Sequence, residues 1–81
     1  MTEVELKAKQ LVNYYHENLD GLYIEAREVT AIKFAIYHVE EMLSQFKQLF
    51  DLDPLNGGFI EANAMFYASV KEKLENCYNE L

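Results

Sequence analysis

The chain has no tryptophan, one cysteine, one proline and three glycines, and it carries only 7 Lys plus Arg against 14 Asp plus Glu. Each shortage excludes something. A single cysteine, Cys77, rules out an internal disulfide and an all-cysteine metal site. So little proline and glycine, beside 51% apolar and 26% charged residues, excludes collagen-like repeats and argues against disorder. A formal charge of −7 opposes the polyanionic surface of duplex DNA or of an anionic leaflet, so neither direct nucleic-acid binding nor membrane binding is expected. No apolar run approaches the ~18 residues that a membrane span requires. Thr2-Glu3-Val4-Glu5 has the wrong charge for a signal-peptide start, so a soluble, cytoplasmic protein is expected. At 81 residues, the chain has room for one helical domain over 1–81 with one core.

What the sequence does have is helical periodicity. Thr2-x-x-Glu5 forms a capping box, in which the Thr2 hydroxyl and the Glu5 carboxylate satisfy free backbone N–H groups of a first turn. Val4, Ala8, Leu11, Val12, Tyr15 and Leu19 then share one stripe, which predicts a helix over Thr2 to Asn18. Gly21 is suited to the left-handed conformation that closes such a helix, and His16 to a cap near its C-terminus. Val29, Ile32, Ile36, Val39, Leu43, Phe46 and Phe50 alternate steps of three and four, predicting a second helix from near Ile24 to Phe50. Its regular part could start as late as Ala26 or Thr30. A flanking row of Ala31, Ala35, Met42 and Leu49 lets this helix touch two neighbours, as befits the centre of a bundle. At 1.5 Å per residue it is about 40 Å long against about 25 Å for the first helix, so its far part overhangs.

Asp51 to Gly58 contains Pro54 and reads as the second connection, with Asp53 capping a short turn. Phe59, Ala62, Phe66, Val70, Leu74, Cys77 and Leu81 predict a third helix. Between Phe59 and Ala68 only Glu61 and Asn63 are polar, so apolar surface there extends beyond one stripe. The expected fold is all-α, a three-helix antiparallel bundle with a long central second helix. The small core and spare apolar surface predict a two-fold homodimer.

Chemistry-bearing constellations are weak. Counting a calcium loop from Asp51 puts Leu55, Asn56 and Ala62 where a ligand, a glycine and a bidentate Glu belong. His38 and Glu41 share a helix face, yet no second carboxylate and histidine pair accompanies them, so no metal site is expected. Cys77 falls on an apolar stripe, where a thiol is hard to ionise, and no phosphate-cradling loop or nucleophile elbow is present. Neither a catalytic residue nor a cofactor is predicted. Acidic residues could imitate a phosphate backbone, but they are spread evenly with Lys and Arg interspersed, as on an ordinary solvated surface.

Six tyrosines are the one compositional excess. Tyrosine offers rigid amphipathic area at low entropic cost, which suits protein interfaces. The interface candidates are Tyr14, Tyr23, Tyr37, Phe59, Met65, Phe66 and Tyr67. A non-enzymatic protein-binding module is therefore the first functional expectation, with an acidic rim suited to a basic partner. An oligomeric sponge for a nucleotide second messenger, gripped by Arg27, Lys33 or Lys71, is the alternative. An ancillary structural helical protein is a third.

Lys7-Ala8-Lys9-Gln10-Leu11-Val12 followed by Tyr14-Tyr15, the Ala31 to Leu43 segment, and Tyr67 before Val70-Lys71-Glu72-Lys73-Leu74 form a pattern. It resembles small uncharacterised helical proteins of bacteriophages and mobile elements. The resemblance carries over no functional residue. It implies a setting: a host-defence inhibitor, anti-CRISPR-like, acting in the host cytoplasm by binding and occluding a host protein.

Overall fold

The computed structural model describes residues 1–19 and 24–81. They form three α-helices: α1 (Glu3–Glu17), α2 (Ile24–Leu52) and α3 (Gly57–Asn79). A one-turn 3-10 helix, Pro54–Asn56, connects the last two. The protein is all-α. No described helix is long and apolar enough to cross a membrane.

Local chemistry explains the boundaries. Thr2 caps α1 by accepting the Glu5 backbone N–H at 3.1 Å. Its hydroxyl also donates to the Glu5 carboxylate at 3.2 Å, so that carboxylate meets the side chain of Thr2 where a full capping box would bring it to the backbone. Glu3 and Glu5 place negative charge at the positive end of the helix. At the other end the capping group is Asn18, whose side-chain amide donates to the Tyr14 carbonyl at 2.7 Å. Gly21, expected to close this helix, lies outside the described residues, as does the approach through Leu22 and Tyr23.

Helix α2 starts at Ile24 and runs two residues past Phe50. Pro54 then opens the 3-10 turn, where its missing N–H has no partner to lose. Asp53 does not cap this turn through a backbone N–H; its carboxylate instead accepts the Asn56 side-chain amide at 2.7 Å. Gly57 and Gly58, expected in the connection, are helical. Gly57 has ordinary helical angles (φ −56°, ψ −38°), and its bare Cα leaves room for the Phe50 ring, since a Cβ there would lie 2.9 Å from Phe50 Cε2.

One core joins all three helices: Ala8 and Leu11 from α1, Ala35 and Val39 from α2, Val70 and Leu74 from α3. Ala31 and Ala35 are fully buried, while Val29 and Ile36 of the expected seam are only half-buried. Small side chains let helix backbones approach closely, so Ala31 and Ala35 of the flanking row are buried as fully as Val39 of the seam, while Met42 is half-buried and Leu49 exposed. Val4, Val12, Tyr15, Ile36, Leu43, Phe66 and Tyr67 pack around this cluster, which ends at Leu43 on α2 and Phe66 on α3.

Beyond those residues α2 and α3 pack on one another, Phe46 against the Tyr67 ring (5.8 Å between centroids) and Phe50 over Gly57. Between Leu43 and Phe66 only Gly57 is buried. Chain lengths give the reason: α1 has 15 residues, about 22 Å, and α2 has 29, about 43 Å. The molecule measures 47 × 25 × 18 Å, its long axis close to the length of α2.

Candidate functional site

Among the described residues, the longest continuous set of aromatic contacts lies where α1 meets α2. Tyr15 faces α2, and its hydroxyl lies 2.9 Å from His38 Nδ1. That bond gives the half-buried histidine the polar partner that its place at the shoulder of the core requires. The Tyr15 ring stands 5.8 Å from Phe34 and 6.0 Å from the His38 ring, and Tyr14 meets it edge-on at 5.1 Å. Tyr37 lies three residues after Phe34 and so shares its outer face of α2. Tyr14 and Tyr37 are each 61% exposed and Phe34 is 45% exposed.

Tyr15 and His38 thus form an anchored base, and Tyr14, Phe34 and Tyr37 present aromatic surface to the outside. A rigid aromatic shelf with one wet edge is what a protein interface uses for its central contacts. Exposed Glu17, three residues after Tyr14, and Glu41, four after Tyr37, give the shelf an acidic border, while Glu40 is turned to Lys71 of α3.

The other sequence-level candidates fall elsewhere. Phe59 (75% exposed) and Met65 stand on α3, away from this shelf in sequence, together with exposed Leu52 and Leu55 at the α2 to α3 connection. Phe66 and Tyr67 are half-buried and packed on the core, Tyr67 lying between the rings of Phe46 and Phe66, so they have less surface to offer. Tyr23 lies outside the described residues. Phe34 was not among the candidates; its signal was an aromatic residue off the Ile32, Ile36 and Val39 stripe, on the same outer face as Tyr37.

The cations considered for phosphate binding are engaged within the chain. Lys71 Nζ lies 3.6 Å from Glu40 Oε1, Lys33 Nζ lies 5.6 Å from the centre of the Tyr78 ring, and Arg27 is half-buried. Among the described residues no group of three or more His, Cys, Asp and Glu side chains is placed to hold a metal. Cys77, expected in the core, is half-buried; with Ala8, Val12, Ile32 and Leu74 it lines a groove of about 300 Å³ bordered by Lys9, Lys73, Glu5 and Glu28. No protein-family model, curated protein or solved structure matches this chain.

Proposed function

We propose that this chain is a non-enzymatic protein-binding module that occludes a partner through the Tyr14, Phe34 and Tyr37 shelf. The observation that carries the reading is the exposure of two tyrosines, 61% each, on a base held by the Tyr15 to His38 bond. Exposed aromatic residues on a rigid support lose little entropy on docking. The acidic border and the charge of −7 favour a basic partner and speed its approach.

In this proposal the helices form a bundle with α2 in the middle and α3 antiparallel to it, supported by the pairs Lys33 with Tyr78, Glu40 with Lys71, and Phe46 with Tyr67, in which the α3 number falls as the α2 number rises. The α1 neighbours run the other way: Glu5 and Ala8 border one groove with Glu28 and Ile32, and Tyr15 meets Phe34 and His38, so α1 lies beside α2 in the same sense. The biological setting proposed is the one the sequence resemblance implies: a phage-encoded inhibitor of a bacterial defence protein, acting in the host cytoplasm.

The test compares immobilised wild-type chain with the Tyr14→Ser/Tyr37→Ser variant in bacterial lysate, after circular dichroism shows equal helicity. Removing two interface anchors costs at least ~2 kcal/mol, a loss of about 30-fold in affinity. The proposal expects a protein retained by the wild type and depleted to that extent by the variant. Equal recovery of the same proteins by both chains removes the shelf as the binding surface.

A further inference from the structure

The groove that α1 fills between α2 and α3 continues past the end of α1: Glu5 and Ala8 lie beside Glu28, Ile32 and Cys77, and Tyr15 reaches Phe34 and His38. Phe66 packs on the core, and Phe59 lies one heptad before it on the same face of α3, yet Phe59 is 75% exposed. Leu49 lies one heptad after half-buried Met42 on α2 and is about half exposed. These are core-type positions that lack a third helix. Leu52, three residues after Leu49 and so on its side of α2, and Leu55, 96% exposed, extend the surface. Together the four side chains offer on the order of 600 Å² of apolar surface, at the upper end of the ~300 to 600 Å² of the largest patch of a typical monomer.

We propose that this face is covered by the same face of a second copy, the two related by a two-fold axis, so that four helices pack where one chain supplies two. Three observations favour a second copy as the occupant. The area matches the ~600 to 1,000 Å² that each partner gives to a stable interface. Charged side chains are sparse here: between Leu43 and Phe66 only Lys47, Asp51, Asp53 and Glu61 are charged, so few charges have to be desolvated when two copies meet. The polar group within the row is partly engaged, because the Asn63 side-chain amide donates one N–H to the Phe59 carbonyl of its own helix at 2.9 Å. An isologous contact then buries like against like, with the second N–H and the oxygen of Asn63 left for water or the other copy. The inference concerns a surface separate from the tyrosine shelf, and either can fail while the other stands.

Sedimentation equilibrium on the full chain tests it, from about 1 to about 200 µM, where a micromolar dissociation constant becomes visible. The expected mass rises from 9.5 kDa toward twice that value. Leu49→Glu/Phe59→Glu weakens association at least ~100-fold, since each dimer loses two copies of each anchor. Phe59→Ala, at an exposed position that folding does not depend on, weakens it about 10-fold, and Tyr14→Ser/Tyr37→Ser leaves the mass profile unchanged. A wild-type chain that stays at 9.5 kDa throughout overturns the proposal. So does a dimer that is indifferent to both the glutamate and the alanine variants.

Discussion

Truncation of Leu74 to alanine tests whether the three helices share one core. Leu74 is the largest of the completely buried side chains and belongs to the cluster that joins Ala8 and Leu11 to Ala35 and Val39. Leu74→Ala removes three buried carbons and leaves a cavity that elements from three helices cannot all collapse to fill. Comparable truncations cost about 3 to 5 kcal/mol, and the lower end suits a small domain able to relax, giving about 3 kcal/mol. The total stability of 81 residues at ~0.05 to 0.15 kcal/mol each is about 4 to 12 kcal/mol, so this one change removes a large part of it. At ~4 to 8 °C per kcal/mol the melting temperature falls by about 12 to 24 °C. Urea and thermal unfolding followed by circular dichroism, at one low protein concentration, measure this. The control is Leu6→Ala, which deletes the same atoms at a half-exposed position of α1 and costs under ~1 kcal/mol. Similar losses in the two variants, or a Leu74→Ala loss below ~1 kcal/mol, would refute a core centred on Leu74.

Further outcomes are expected. Tyr15→Phe keeps the ring but leaves His38 Nδ1 without its partner at 2.9 Å, costing about 1 kcal/mol in urea unfolding. Gly58→Ala gains about 0.5 to 1 kcal/mol, because the site is helical and a Cβ there meets nothing within 4 Å. Gly57→Ala gains less, since its Cβ must push the Phe50 ring aside from 2.9 Å; equal gains at the two sites would contradict that contact. Thr2→Ala loses the bond to the Glu5 N–H and destabilises by about 1 kcal/mol, measured as a fall in melting temperature. Cyclic mono- and dinucleotides leave the melting temperature unchanged, because Lys33 and Lys71 are already engaged with Tyr78 and Glu40; a rise would support the nucleotide-sponge alternative.

Local signals were legible because they depend on residues close in the chain. Thr2 announced the start of α1, Pro54 the break after α2, and the three-four spacing placed Val39, Val70 and Leu74 on inward stripes where they are indeed buried. The same spacing also put Phe50 and Phe59 on those stripes, and both are exposed. Periodicity identifies the face a helix would bury, but it does not say how far a neighbouring helix reaches.

The sequence by itself determined the helical class, the capped start of α1 and the inward stripe of each helix, because these follow from backbone hydrogen bonding and a 3.6-residue repeat. Tertiary structure decided which part of each stripe is covered: α1, with 15 residues beside the 29 of α2, leaves the far part of the seam without a third neighbour. It also decided that Ala31 and Ala35 of the flanking row are buried as fully as Val39, and that Tyr15 meets His38 and Phe34. Both are contacts between helices, set by how closely backbones approach and by the register at which they pack, and neither quantity is carried by a single stretch of chain.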